Sequence, residues 1–559
     1  MPWNTNIIDS EILAIHASFL NFDQLVYFGG DQHDPEFNKT GNIDAIRLFD
    51  CNSFSIHKVK LDLFDTFCSG HALTYGGILL VAGGTRRFPD KVAAGPHHIH
   101  FPGLRDSAVI RLDENAKYQA KRVASMNRGL PYRPPSEPPA EHIDHRGDTG
   151  GRWYPTLVTL PSGNVLALNG HPGTDDAWHT NYIPEVFTPN PLPNGRWHRL
   201  GDPENVMTRA HFEQYDAVTL YPRAYVIPGG KVLIASPSKG YKTVTLAIDE
   251  SAMKGQYQEL GDFAPGPTNR YGAFWESSVL LPMRWDSTEA RVLITGAEDS
   301  WICTVPSGPG IPLWRRTAPR QLAGHPRRIH GQAILLPNLK VLLVGGVAGT
   351  PPDAATLDAT AVRTPEIYDP EVNRDGATPG NWKALTHASE KQSQVRNYHS
   401  TAILMRDGRV WVAGGDKDGA AGIANANLTI EIYEPSYFGN PNRPEILAAP
   451  NRWLTGTTFE VESTQVSENN IEHVIIVRCG SVTHAFNADQ RLIQLGFNRI
   501  DGDRLKVTAP KDATIAPPGF YFMFTVNKQN LPSLGIKVYI TEIPESDSER
   551  AWNGLFAGR

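Results

Sequence analysis

One unit of sequence recurs along most of the chain, and no other feature restricts the fold as tightly. The unit is an apolar strand, a polar turn, a second apolar strand ending in small residues, a loop, and a third strand that closes on Asp, Glu or Thr followed by Pro in its clearest copies. The first copy is IHASFLNFDQLVYFGGD at 15–31 with AIRLFD at 45–50. The second is GHALTYGGILLVAGG at 70–84 with SAVIRLD at 107–113, and the third RWYPTLVTLPSGNVLALNG at 152–170 with PEVFTP at 184–189. A weaker fourth spans 215–237 with TVTLAID at 243–249. A fifth, with a longer turn, covers 273–296, and WICTV at 301–305 serves as its third strand. HGQAILLPNLKVLLVGG at 330–346 with TPEIYDP at 364–370 is the sixth. The seventh, RNYHSTAILMRDGRVWVAGGD at 396–416 with LTIEIYEP at 428–435, shows the grammar most cleanly: Asp407-Gly408 turns one apolar run into the next.

Seven copies at a spacing of about 50–65 residues fit a kelch-type β-propeller, one sheet per repeat around a central channel. A lone meander cannot bury both faces, whereas seven packed radially can. Small residues close the second strands because the blades crowd near the axis. A series of β-sandwiches is the alternative, and the recurring strand-turn-strand-Gly-Gly pattern argues against it. After Pro435 the pattern changes. SYFGNPNRPEILAAP at 436–450 reads as a linker, and then FEVES, HVIIVRCG, THAFN, RLIQLGF, RLKVTAP, GFYFMFTVN and GIKVYI follow as short strands. That spacing predicts an immunoglobulin-like (E-set) β-sandwich. The expected organisation is all-β: a seven-bladed propeller over 1–436, a sandwich over 437–545, and a polar tail over 546–559 that packs loosely or not at all.

Bulk properties exclude several classes. The 559 residues carry 53 Lys+Arg against 59 Asp+Glu, a net charge of −6 with no basic footprint for nucleic acid. Mean hydropathy is −0.33, and no apolar run approaches the roughly 18 residues of a membrane span. The opening MPWNTNIIDSEIL lacks the basic-then-apolar pattern of a signal peptide. The four cysteines, Cys51, Cys68, Cys303 and Cys479, have neither disulfide-scaffold nor zinc spacing. Cys51, Cys303 and Cys479 read as buried small hydrophobes; Cys68 stands apart, within the segment FCSGHAL at 67–73.

Tyr398 and His399, a phenol and an imidazole, sit side by side just before the seventh hairpin. Successive strand residues face opposite ways, so both reach one metal only if the strand starts between them. Each such residue has an ordinary alternative. Tyr154 beside Trp153 can be core packing, His484 a surface or hydrogen-bonded imidazole, and Cys68 a buried thiol.

Four separated segments together go further: FCSGHAL at 67–73, GRWYPT at 151–156, RNYHST at 396–401 and GSVTHAFNADQRLIQLGF at 480–497. In kind, order and place they resemble the copper-radical oxidases, the galactose oxidase and glyoxal oxidase family. The resemblance covers nearly the whole chain. With no counterpart of an extra N-terminal carbohydrate-binding domain, the layout is more similar to glyoxal oxidases.

The resemblance implies one copper ion held by Tyr154, Tyr398, His399 and His484, the last on a hairpin that the sandwich inserts into the channel. It implies a thioether between Cys68 and the Tyr154 ring as a radical cofactor, with Tyr398 as axial ligand and base. The implied reaction oxidises a small aldehyde hydrate or a primary alcohol with O2 and releases hydrogen peroxide. The expected partners are the small substrate and O2, the chain is expected to be a monomer, and the compartment is extracellular if family habit holds.

The alternatives are a galactose-type carbohydrate oxidase and a non-catalytic kelch binding scaffold. Departures weigh against galactose specificity: His171-Pro172 stands where a tryptophan over the thioether is expected, leaving Trp178 or Trp153 to serve, and His71 replaces a common glycine. His97, His98 and His100, in the insertion at 88–106, read as an exposed loop rather than a second metal site.

Overall fold

The computed structural model describes residues 2–21, 23–30, 46–59, 63–86, 102–112, 117–127, 150–172, 181–191, 193–201, 220–236, 242–264, 276–296, 299–322, 327–348, 360–416, 426–541 and 547–554. Each repeat forms an antiparallel sheet, and the seven sheets are the blades of a propeller. The innermost strands, in blade order, are His16–Phe19, Gly70–Leu73, Thr156–Thr159, Ala224–Val226, Ser277–Leu280, Gln332–Leu335 and Ser400–Leu404. All are buried along their length, because each packs against its neighbours as well as against its own second strand.

Blades one to six each carry a fourth, outer strand that the three-strand unit omits, such as Ile56–Lys58, Arg196–Arg199 and Asn381–Ala384. These strands are half-exposed and largely polar, so they leave no apolar run to find. Blade seven takes its fourth strand from the other end of the chain: Ile8 and Asp9 pair with Ile430 and Thr429. This closes the ring with backbone hydrogen bonds rather than with apolar contact alone.

Crowding near the axis is visible at Gly414, where φ is +73°. A Cβ there would lie 2.6 Å from the His399 carbonyl oxygen and 2.8 Å from that of Ala14. Only glycine fits such an approach and such a backbone angle.

Beyond the propeller, Ile471–Arg478, Leu492–Arg499, Gly519–Asn527 and their neighbours form the C-terminal sheet domain. Leu492–Arg499 pairs through 492–495 with one sheet and through 496–499 with the other, so it bends across the sandwich. The long turn of the fifth repeat docks here: Met283 and Arg284 pair in parallel with Ile493 and Gln494. Side chains of blades four and five, including Tyr225 and Leu280, share one apolar core with Ile476 and Tyr521 of the sandwich.

Two expectations are corrected. The segment THAFN is the inserted hairpin that bears His484 and not a strand of the sandwich. Ser481–Thr483 and Phe486–Asn487 form a hairpin that leaves it and adds to blade one, with Thr483 opposite His16 and Ser481 opposite Ser18. The C-terminal stretch also does more than pack loosely. It carries a helix, Asp547–Gly554, whose Trp552 is fully buried among Leu157, Phe187 and Trp197 of blade three and neighbouring apolar side chains. The indole of Trp552 donates to the Gly163 carbonyl at 3.2 Å. Cys51, Cys303 and Cys479 are buried free thiols, as expected, and burial pushes their pKa values up. His97, His98, His100 and Trp178 lie outside the described residues.

Candidate metal centre

The segment leading into an inner strand recurs with a distinctive backbone. Cys68, Tyr154, Tyr221, His330 and His399 all have φ between +49° and +63° and stand one to three residues ahead of the inner strands of blades two, three, four, six and seven. A left-handed residue without glycine costs roughly 1–2 kcal/mol, and such conformations gather at functional sites held by their surroundings. Here the surroundings are identifiable. The Tyr154 N–H donates to the Cys68 carbonyl at 2.9 Å, and the Tyr221 N–H to the Tyr154 carbonyl at 2.8 Å, lacing three blades together.

Just ahead of three of these residues stands a buried arginine paired with a glutamate of the same blade's third strand: Arg152–Glu185 at 2.9 Å, Arg328–Glu366 at 2.8 Å and Arg396–Glu431 at 3.1 Å. The glutamates belong to the PEVFTP, TPEIYDP and LTIEIYEP motifs. The left-handed turn at His399 also answers the strand problem. The strand begins at Ser400, and the turn lets Tyr398 and His399 face one centre, their rings 3.8 Å apart.

His484 arrives from the sandwich. It and Ala485 are the two central residues of the hairpin turn, with φ of +46° and +59°. Positive φ at both positions is the tight-turn geometry that usually selects Asn-Gly, so ring placement rather than turn propensity explains a histidine there. Thr483 Oγ1 lies 2.7 Å from Nδ1 of His484, leaving Nε2 to face the channel, 3.9 Å from the Cys68 sulfur.

All five expected residues therefore come together. The His484 ring lies 4.7 Å from that of Tyr154, 5.4 Å from Tyr398 and 4.9 Å from His399. The Tyr154 and Tyr398 hydroxyls are in hydrogen-bond contact. The Cys68 sulfur and one nitrogen each of His399 and His484 lie within 4.8 Å of one another. Cys68, Tyr154, His399 and His484 are buried, while Tyr398 is only half-buried and marks the open side.

The donor set fits a metal ion. His399 Nε2 is buried with no hydrogen-bond partner among the described residues, an arrangement whose cost a bound cation would remove. Its Nδ1 lies 3.0 and 3.1 Å from the two Asp416 carboxylate oxygens, the carboxylate–histidine pairing that orients a metal-binding imidazole. Burial, then neighbouring His399 and His16, holds the His484 pKa well below its usual value, which keeps it neutral and able to ligate. Burial, followed by Cys68, pushes the phenols of Tyr154 and Tyr398 well above theirs, so neither ionises without a nearby positive charge.

Sequence reasoning passed over several neighbours. Tyr221 packs 4.6 Å from both the Tyr154 and His484 rings and donates to the Ser69 carbonyl at 2.8 Å. The His330 ring lies 4.9 Å from that of Tyr398. Asp416, at the end of the Gly414-Gly415-Asp416 stretch, could have been suspected from its place beside the small residues that close the strand. The Trp153 ring lies tilted against that of Tyr154, the centroids 3.9 Å apart at 34°. His71 is buried with Nδ1 against the Ser481 hydroxyl, and its ring lies 5.2 Å from that of His16.

The chain resembles known proteins in sequence and in fold. Residues 443–540 match the family described as Galactose oxidase-like, Early set domain. The chain is 29% identical to a galactose oxidase of Gibberella zeae over 38% of its own length, a match that spans 29% of that protein. It is 26% identical to the aldehyde oxidase GLOX of Vitis pseudoreticulata over 86% of this chain and 83% of the relative. Among solved structures, a fungal alcohol oxidase in complex with copper superposes with a TM-score of 0.71 at 18% identity, covering 96% of this chain and 99% of the other, which is a likeness of fold.

Proposed function

We propose that the chain is a copper-radical oxidase of the galactose oxidase and glyoxal oxidase kind, a reading its similarities support, and that it oxidises a small aldehyde, as its hydrate, or a primary alcohol. One alcohol and one O2 give one aldehyde and one hydrogen peroxide; one aldehyde hydrate and one O2 give one acid and one hydrogen peroxide. The observation that carries this reading is the convergence of Tyr154, Tyr398, His399 and His484 from two blades and the sandwich, around a histidine nitrogen that lacks a partner among the described residues.

Those four residues would hold copper, because two imidazoles and two phenolic oxygens suit Cu(II) in a tetragonal site with an open position. When bound, the ion supplies a one-electron acceptor and a positive charge that acidifies a substrate hydroxyl. The substrate loses two electrons, so a second acceptor is needed. We assign it to Tyr154, joined through its ring to Cys68; an ortho sulfur spreads the unpaired spin and eases oxidation of the phenol. Cys68 is suited to that bond, being fully buried in the same apolar cluster as Tyr154 and Trp153.

Trp153 covers the Tyr154 ring and keeps water from it. Tyr398, on the open side, takes the substrate hydroxyl proton. The same surroundings that make its phenol hard to ionise make its phenolate a strong base. His399 and His484 serve as the nitrogen donors, the first oriented by Asp416 and the second by Thr483.

A second reading has its own observation. With its sulfur 3.9 Å from His484 Nε2, Cys68 could ligate copper directly. Intact mass separates the two: a thioether makes the metal-free chain lighter by two hydrogen atoms, and direct ligation leaves its mass unchanged. The function itself is tested by copper analysis and peroxide release over a panel of aldehydes, primary alcohols and galactose. A copper-loaded, oxidant-treated sample that makes no peroxide from any of them overturns it, and activity confined to galactose replaces it with the carbohydrate oxidase.

A further inference from the structure

Arg223, two residues beyond Tyr221, is buried to 1% exposure. Its own backbone is fixed to the residues just past the second strand of blade four, its N–H donating to the Ser236 hydroxyl at 2.7 Å and its carbonyl accepting from the Ala235 N–H at 2.7 Å. Its side chain then reaches across two boundaries. One guanidinium nitrogen donates both to the Glu276 carbonyl, just ahead of the blade-five inner strand, at 2.8 Å and to the His484 carbonyl at 2.9 Å. The guanidinium carbon also stands 5.0 Å from the centre of the Phe486 ring. The His484 carbonyl and the Phe486 ring, on either side of Ala485, are thereby both engaged by one guanidinium.

From this we infer that Arg223 is a positioning residue for the metal centre, clamping the sandwich hairpin so that His484 Nε2 stays aimed into the channel. The need for a clamp follows from the turn itself. His484 and Ala485 occupy a backbone conformation that favours Asn-Gly, so the turn has an intrinsic tendency to relax and carry the imidazole away. A planar guanidinium with several fixed donors can hold a carbonyl on each of two elements; a lysine ammonium keeps the charge without that fork. Burial holds the Arg223 pKa down to about 10, so it remains a cation at neutral pH. It is also a positive charge felt by His484 and Tyr221, opposing an imidazolium at the first and favouring a phenolate at the second.

A second buried arginine provides the control. Arg491 joins the same two parts of the molecule, donating to the Val226 carbonyl of blade four at 2.6 Å and to the Ile515 carbonyl of the sandwich at 2.8 Å. It makes no hydrogen bond to the His484 turn among those recorded for it. Arg223→Met and Arg491→Met therefore both weaken docking, and only the first releases the turn.

Two measurements on the full chain decide the matter. In the metal-free protein, hydrogen exchange of peptides covering 481–487 should quicken in Arg223→Met and not in Arg491→Met, with Arg223→Lys between Arg223→Met and the unsubstituted chain. In copper titrations against a competing chelator, Arg223→Met should lose about tenfold in affinity or more and shift the Cu(II) electron paramagnetic resonance hyperfine splitting, while Arg491→Met loses thermal stability alone. Equal loosening of the turn in both methionine variants, or an unchanged turn in Arg223→Met, overturns the clamp. The copper arm rests on the proposed function, and the exchange arm does not. An unsubstituted chain that binds no copper defeats that function and leaves hydrogen exchange to judge Arg223.

Discussion

Replacing Asp416 tests the metal centre at a residue that touches no expected substrate. Both carboxylate oxygens lie within 3.1 Å of His399 Nδ1, and the imidazole is nearly enclosed, its side chain 3% exposed against 20% for Asp416. Nδ1–H donates to the carboxylate, so the lone pair sits on Nε2, which points at the centre. A hydrogen bond to a charged group contributes about 1.5–3 kcal/mol, and about 1.4 kcal/mol is tenfold in a binding constant. Asp416→Ala should therefore weaken copper binding by about 10- to 100-fold. The lower end is expected, since the partial exposure of Asp416 lets water take its place. Asp416→Asn keeps an acceptor and loses the charge, so its effect should be smaller. A chelator competition titration reads the affinity, and electron paramagnetic resonance reads the coordination. Copper binding in Asp416→Ala as tight as in the unsubstituted chain, with the same spectrum, would refute the role given to His399 Nε2.

Other outcomes follow from the same geometry. Tyr154→Phe should abolish peroxide formation and the radical absorbance with little loss of stability, since it removes one hydroxyl; turnover in that variant would exclude Tyr154 as the redox-active phenol. Intact-mass spectrometry of the copper-treated chain should show a two-hydrogen mass deficit that Cys68→Ser removes; a deficit that persists in Cys68→Ser would exclude the thioether. Trp552→Ala should cost about 3–5 kcal/mol in denaturant unfolding and leave copper affinity unchanged, because the helix packs on blade three away from the centre. Burial holds His71 down to about 3 from an unfolded value near 6.5. It therefore contributes stability that is complete above about pH 6.5 and is lost as pH falls toward 3, about 2 kcal/mol of it between pH 7 and 5. His71→Asn should flatten the stability profile across that window, and an unchanged slope would place the His71 ring in water.

The chain's own sequence determined a great deal. Strand, turn and small-residue ending lie within 15 to 24 neighbouring residues, and each repeat states the same local preference, so seven blades are legible without coordinates. Tyr154, Tyr398, His399, His484 and Cys68 were legible through four motifs whose combination resembles one family. What escaped was decided by contact between distant segments. The Ile8–Asp9 strand has no apolar period of its own and exists because Ile430 and Thr429 offer an open edge. Tyr221, His330 and Arg223 have no spacing rule that sets them apart; their roles come from left-handed turns and from carbonyls of other blades. Side-chain alternation in a sequence assigns a residue to one face of its own strand. Which residues meet at the mouth of a channel depends on where each blade stops being a strand, and that is set by the packing of its neighbours.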